Sequence, residues 1–214
     1  MLFVFHRSYL EFTDFYNFNG RYMIRQIYIY GAECLRKVCS PVTDFSLVRE
    51  LIGDLFETMR NAEGVGLSAP QIGVSLRVFV IDPTPLVDPS SKEYEKLKQY
   101  TGAFINPVII QKSKKVWEYE EGCLSIPSIR IPVIRPYSIV VEYTDENLNR
   151  VRKTLSGIVA RIFLHENDHL DGILITDYLT NGKVKIPSAR KREIMKKLKE
   201  IESGKVETSY PISL

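Results

Sequence analysis

The sequence is poor in cysteine and histidine, with three of each among 214 residues. Three cysteines (Cys34, Cys39 and Cys123) are too few for a disulfide framework, so the chain reads as a protein of a reducing compartment, the cytoplasm. No apolar run approaches the roughly 20 residues that a helix needs to cross a bilayer. The formal net charge of +3 is mild and gives no reason to expect a DNA partner. Internal repeats and low-complexity tracts are also missing. The length suits one domain with a proper core, or at most a domain with appendages.

Residues 1–22 are rich in aromatics but interrupted by Arg7, Glu11 and Asp14, with no small-residue cleavage site, which makes a poor secretion signal. The ordinary domain pattern begins near Met23, with apolar residues alternating from Ile24 to Ile29. Met23 is therefore the expected natural start, and residues 1–22 an upstream extension. A catalytic domain is expected over 23–186 and a basic helix and tail over 187–214. "DFSLVRELIGDLFETMRNAEG" predicts an amphipathic helix with Asp44 as its cap and Gly64 at its end. "LRVFVID" predicts a buried strand, and "PTPLVDPSSKEYEKLKQYTG" a polar loop with at most one helical turn. "AFINPVII", "KVWEYEE" and "YSIVVEYTD" read as strands, and "ENLNR" as the turn leading into "VRKTLSG". "PSARKREIMKKLKEIESG" closes the series as a basic helix with Pro187 near its start. Strands and helices are segregated, so the expected class is α+β rather than a parallel βαβ fold.

What is present is concentrated. "FLHENDHLDG" (163–172) holds two of the three histidines, His165 and His169, four residues apart. On an α-helix that spacing puts both imidazoles on one face, able to hold one ion. Glu166, one residue round, can reach a metal-bound water without ligating the metal, the general-base place in H-E-x-x-H. Helical spacing of Ile158, Ile162, Leu164 and Leu170 supports the helix, with Ser156 as its cap and Gly172 as its stop. The bland alternative is two core histidines bonded to backbone, with Glu166 and Asp168 solvated.

A catalytic site of this kind usually has three protein ligands and an open position. No histidine follows His169, and the downstream carboxylates Glu193, Glu200 and Glu202 lie in a lysine-rich segment. Cys123, in "EEGCLSIPSIRIP", is the better candidate, because a thiolate binds zinc or iron strongly. In "EGVGLSAPQIG" (63–73), Gly64, Gly66 and Gly73 permit close backbone approach, and the Gln71 amide can donate to an oxygen where charge develops. The loop lacks the lysine and Ser/Thr ending of a phosphate-binding loop, which argues against a nucleotide.

Together, "GVGLSAPQ" (64–71), "EGCLS" (121–125) and "HENDH" (165–169) resemble the three motifs of the peptide deformylases, in that family's order and at similar spacing. The likeness runs from about Ile24 to the end of the metal helix. It implies small antiparallel or mixed sheets packed around a central helix that carries the metal ligands. It also implies removal of the N-formyl group from N-formylmethionyl nascent polypeptides. By this resemblance Cys123, His165 and His169 bind the metal, and Glu166 is the general acid/base. Gln71 and the backbone N–H of Leu124 hold the formyl oxygen, Gly66 pairs with the substrate backbone, and Val65 lines the methionine pocket. Arg130 falls at a substrate-side arginine, and Arg135 where an arginine supports Glu121. The implied ion is Fe2+, with Zn2+, Ni2+ or Co2+ as replacements.

Two residues depart from the family pattern: Ser68 stands for a more usual alanine, and Leu164 for a glutamine just before the first histidine. Two rivals remain, a zincin-like peptidase with a carboxylate as third ligand and a non-catalytic module on the same scaffold. The basic C-terminal helix has two readings as well. It either packs on the domain through Ile194, Leu198 and Ile201, or also presents its lysines to ribosomal RNA.

Overall fold

The computed structural model describes residues 22–204 apart from 182, 183 and 185. The expected extension ahead of Met23 lies outside the described residues except for Tyr22. The elements in chain order are α1 (Val48–Asn61), β1 (Gly66–Ser68), β2 (Val78–Ile81), α2 (Lys92–Lys98), β3 (Gly102–Lys112), β4 (Val116–Cys123), β5 (Ile126–Pro136), β6 (Ser138–Thr144), β7 (Arg150–Ser156), α3 (Gly157–Leu170), α4 (Ile175–Thr180) and α5 (Ser188–Glu202). Five strands form an antiparallel sheet in the order β1-β2-β3-β6-β7, and β4 and β5 form a separate antiparallel pair. The class is α+β, as expected.

All four residues of β2, "VFVI", are buried. Side chains alternate across a strand, so Val78 and Val80 join the cluster under α1, with Leu55 and Met59. Phe79 and Ile81 point the other way and pack against Phe163 of α3. Thus α3 is buried between the large sheet and β5, which it also contacts. It begins directly from β7, and the helix of the histidine motif is therefore held by the sheet at one end and by the turn at Gly172 at the other. Gly172 has φ 70°, and a Cβ there would lie 2.6 Å from the Arg36 carbonyl oxygen. Only glycine fits that stop.

Several local expectations need correction. Asp44 does not cap α1; its Oδ1 accepts from the Ser46 N–H two residues on, and the helix starts at Val48 without a side-chain cap. That is the local Asx competition which favours a turn over a helix. The helix ends at Asn61, before Gly64, and Glu63 takes the positive φ of 54°. Ser156 sits at the N-cap of α3 but its side chain makes no capping bond. The polar excursion holds the two-turn α2, capped by the Ser91 hydroxyl accepting from the Tyr94 N–H. The alternating stretch 24–29 belongs to neither sheet.

The prolines of "IPSIRIPVIRP" hide β5 from a sequence reading. Proline cannot donate to a ladder and is confined to edges. β5 has one neighbour, β4, so its other side tolerates Pro127, Pro132 and Pro136. Ile126, Ile129, Ile131 and Val133 of this strand build the third cluster, onto which Ile194, Leu198 and Ile201 of α5 pack. The basic helix therefore packs on the domain.

Candidate metal centre

Two elements, α3 and β4, bring the predicted ligands together. α3 presents His165 and His169 one turn apart, their ring centroids 5.1 Å from each other. Cys123 ends β4, where the register with β5 shifts between Gly122 and Cys123. Such an irregularity re-aims a side chain, and here it turns the thiol to α3. Cys123 Sγ lies 3.3 Å from His169 Nε2, and the ligand atoms of all three residues fall within 4.8 Å of one another. A tetrahedral ion with bonds of ~2.1 Å to nitrogen and ~2.3 Å to sulfur needs donors about 3.6 Å apart. The residues fit a divalent ion of the zinc or ferrous class in spacing and in donor chemistry. Among the described residues this is the one group of three or more such side chains that could hold a metal.

His165 is held by its other nitrogen, Nδ1, 3.0 Å from Glu121 Oε2. Glu121 in turn accepts from Arg135 Nε at 2.6 Å and Nη2 at 2.9 Å, and from Arg161 Nη1 at 2.5 Å. Burial alone would push the Glu121 carboxyl up. The hydrogen bonds from His165 and Arg135 outweigh it and hold the group well below the usual carboxylate range. Arg135 bridges onward to Asp168 Oδ2 at 2.8 Å, which also accepts from the Tyr178 hydroxyl at 2.8 Å. Asp168 is thus an anchor of the network rather than a solvated neighbour. Such partners fix the ring orientation of a metal-binding histidine.

Arg161, Tyr178 and Ser125 were not foreseen. Arg161 is 2% exposed, donates to the Val133 and Trp117 carbonyls at 2.9 and 2.8 Å, and stacks its guanidinium 4.3 Å from the Trp117 ring centroid. One signal was available: an arginine inside the apolar run "GIVARIFL" must find partners if buried. Tyr178 carried no such signal, and Ser125 lay inside the quoted EGCLS motif without a role of its own, since both depend on contacts distant in sequence.

One residue round α3 from His165 sits Glu166, 4% exposed. Its Oε2 has no hydrogen-bond partner among the described residues. Burial raises its pKa to about 7, opposed by the charge of His165 and by the Ser68 hydroxyl, and assisted by Glu121. Gly66 makes room for it. A Cβ at position 66 would stand 2.5 Å from Glu166 Oε1, so this glycine is needed for the carboxylate to sit where it does.

The 63–73 loop is more than a glycine-rich turn. It forms β1, an edge strand of the large sheet, and then a 3-10 turn over Ala69–Ile72. The turn folds Gln71 back beneath β1, where its Nε2 lies 3.1 Å from Ser125 Oγ and 3.8 Å from Cys123 Sγ. A cavity of about 820 Å³ opens beside these groups. Val65, Ile158 and Ile162 form part of its apolar wall, and Arg130 lies on its lining with Arg190 and Lys197 of α5. Leu124, beside Cys123, lines it too. Leu164 points away into the core with Phe79 and Phe163, and takes no part in the site.

The polypeptide deformylase family model matches residues 24–185. Peptide deformylases of Salinibacter ruber and Flavobacterium johnsoniae are similar in sequence. The first is 43% identical over 191 residues, 89% of this chain and 94% of the relative. The second is 42% identical over 192 residues, 88% of this chain and 94% of the relative. The crystal structure of peptide deformylase from Thermus thermophilus matches with a TM-score of 0.70 and 35% identity, covering 85% of this chain and 99% of that one. The Thermotoga maritima enzyme matches with a TM-score of 0.63 and 37% identity over 72% and 97% of the two chains. With its fold, its Cys-His-His cluster and these relatives, the chain belongs to the peptide deformylase family and is a deformylase-type hydrolase.

Proposed function

We propose that the enzyme removes the formyl group from the N-terminal formylmethionine of newly made polypeptides, releasing formate and a free amine. The observation that carries this reading is the meeting of Cys123, His165 and His169 at one point, with Glu166 buried beside them and Gln71 Nε2 turned to the cysteine.

Cys123 and the two histidines hold the divalent ion, which we assign as Fe2+ with Zn2+, Ni2+ or Co2+ as replacements. When bound, such an ion supplies Lewis acidity, polarising a carbonyl and lowering the pKa of water towards neutrality. Glu166 accepts a proton from the attacking water. Glu166 is buried beside the ligand set, placed to take that proton and later return it. As the water oxygen bonds to the formyl carbon, negative charge grows on the formyl oxygen. Gln71 Nε2 donates to that oxygen, joined by the backbone N–H of Leu124. Glu166 then gives its proton to the amine nitrogen as the C–N bond breaks.

β1 is an edge strand, so the Gly66 backbone can pair with an extended substrate in the manner of strand addition. Val65, Ile158 and Ile162 receive the methionine side chain, and Arg130 faces the peptide beyond it. A tight fit of the 64–71 loop would accept a formyl hydrogen and reject a larger acyl group, a reading supported by the close approach of Gly66 to Glu166. The exposed lysines of α5 suit contact with ribosomal RNA in the cytoplasm. Salt-sensitive co-sedimentation with ribosomes is the expected result, and its absence would count against that contact.

The reaction is tested by formate release from formyl-Met-Ala-Ser, using protein prepared without oxygen and supplied with ferrous iron. Release from the formyl peptide, with no turnover of acetyl-Met-Ala-Ser, is expected. Equal turnover of both would overturn the formyl selectivity, and no turnover of either would overturn the reaction. A Cys123→Ala variant should lose the ion, whereas a peptidase with a carboxylate ligand would keep it.

A further inference from the structure

Ser68 is fully buried at the end of β1, three residues before Gln71. Its backbone N–H lies 2.9 Å and its hydroxyl oxygen 2.8 Å from the same atom, Gln71 Oε1. We propose that Ser68 is a positioning residue for the deformylase reaction: its hydroxyl locks the Gln71 amide with the NH2 end facing the formyl oxygen. This inference rests on the role given to Gln71 above.

An amide side chain has a donor end and an acceptor end of nearly equal shape, and only its neighbours choose between them. The Ser68 N–H can only donate, so the atom beside it must be the carbonyl oxygen. The Ser68 hydroxyl has one proton and two acceptors in reach, Gln71 Oε1 at 2.8 Å and the Glu166 carboxylate; given to Gln71, it fills the second lone pair of that oxygen. Two bonds from one residue fix both the identity of the end and its swing. At the other end, Nε2 donates to Ser125 Oγ and sits beside Cys123 Sγ. Ser125 can accept or donate, so it does not choose the orientation by itself. With the amide reversed, a carbonyl oxygen would face the thiolate and the developing oxyanion, and two donors would face each other at Ser68. Ser68, Gln71 and Ser125 are each at most 1% exposed, so bulk water does not compete for these bonds. Alanine at 68 would leave the amide oxygen one donor and one buried, unsatisfied lone pair. The difference between serine and alanine here is thus a hydrogen bond to a residue that meets the reacting oxygen, rather than an exchange of one small side chain for another.

The test is kcat and KM for formyl-Met-Ala-Ser on the iron-loaded protein and its Ser68→Ala, Ser68→Thr, Gln71→Ala and Ser68→Ala/Gln71→Ala variants, with melting temperatures measured in parallel. Loss of one neutral hydrogen bond predicts that Ser68→Ala lowers kcat about 3- to 10-fold with KM nearly unchanged. In the Gln71→Ala background the same substitution should cost nothing further. Ser68→Thr, which keeps the hydroxyl, should hold a kcat above that of Ser68→Ala. Equal fractional losses in both backgrounds, equal loss in the alanine and threonine variants, or a change in KM alone would overturn the inference. An active wild type matched by Ser68→Ala would overturn this inference and leave the deformylase reading standing. An inactive wild type would overturn that reading itself.

Discussion

The two sides of α3 treat a buried glutamate in opposite ways. On the side facing β5 and α4, Glu121 meets two guanidiniums and an imidazole, each within 3.0 Å. On the side facing β1, Glu166 keeps an oxygen with no partner among the described residues and lies against a glycine. Both carboxyls are almost wholly buried, so burial alone does not explain why one is held firmly ionised and the other is raised to about 7. The neighbours decide. A group wired into cations fixes geometry, and a group left nearly alone can exchange a proton. One helix thus carries a rigid half that holds a metal ligand and a labile half suited to chemistry.

The contrast is broken most severely by Glu166→Gln. Loss of the proposed general base should lower kcat by about 10²- to 10⁴-fold, while metal content by atomic absorption stays that of the wild type. Glu121→Gln should do the reverse. His165 loses its anchor, which should cost about 10- to 100-fold in metal affinity. Arg161 is left buried without a carboxylate and Arg135 keeps only Asp168, which should cost about 3–5 kcal/mol of stability in denaturant unfolding. Gly66→Ala sharpens the picture without removing any charge. The new methyl must displace the Glu166 carboxylate, and a misplacement of that size should cost about 10- to 100-fold in kcat with the metal retained. At the small end, Arg190→Ala removes a pair with Glu120 in which both side chains are 42% exposed. It should change stability by about 0–1 kcal/mol.

Acidity separates the two carboxyls as well. The folded-state pKa of Glu121 is lowered from 4.5, so its contribution to stability is present above that value and is lost as pH falls through the lower, folded one. The gap in melting temperature between wild type and Glu121→Gln should therefore be full near neutrality and close on acidification below about 4.5. Glu166 has a raised folded-state pKa, so its ionised form carries a stability cost that grows as pH rises from 4.5 to about 7. A Glu166→Gln variant should accordingly gain stability over wild type across that window, in protein stripped of metal.

The labile half of the site was largely legible in the sequence. Four-residue spacing on a helix, the intervening glutamate, and a lone cysteine in a motif are local patterns, and local patterns survive without a structure. The rigid half was not. Glu121 and Arg135 were named through resemblance, but Arg161, Tyr178 and Asp168 join them only because α3, α4 and the β4–β5 pair meet in space. Asp168 lay within the quoted motif and still carried no role there, because its partner Arg135 is 33 residues away. β5 was missed since three prolines argue against a strand unless its free edge is known. Ser68 was legible as a residue but not as a contact, since its bond to Gln71 depends on the 3-10 turn that folds the chain back.

The most direct test of this division of labour is to measure metal content and formate release together, for Glu166→Gln and Glu121→Gln prepared anaerobically with ferrous iron. The account predicts that Glu166→Gln keeps one ion per chain and releases almost no formate, while Glu121→Gln loses ion and recovers activity as iron is added in excess. Loss of the ion from Glu166→Gln, or near-normal turnover by it, would contradict the assignment of that carboxylate to proton transfer.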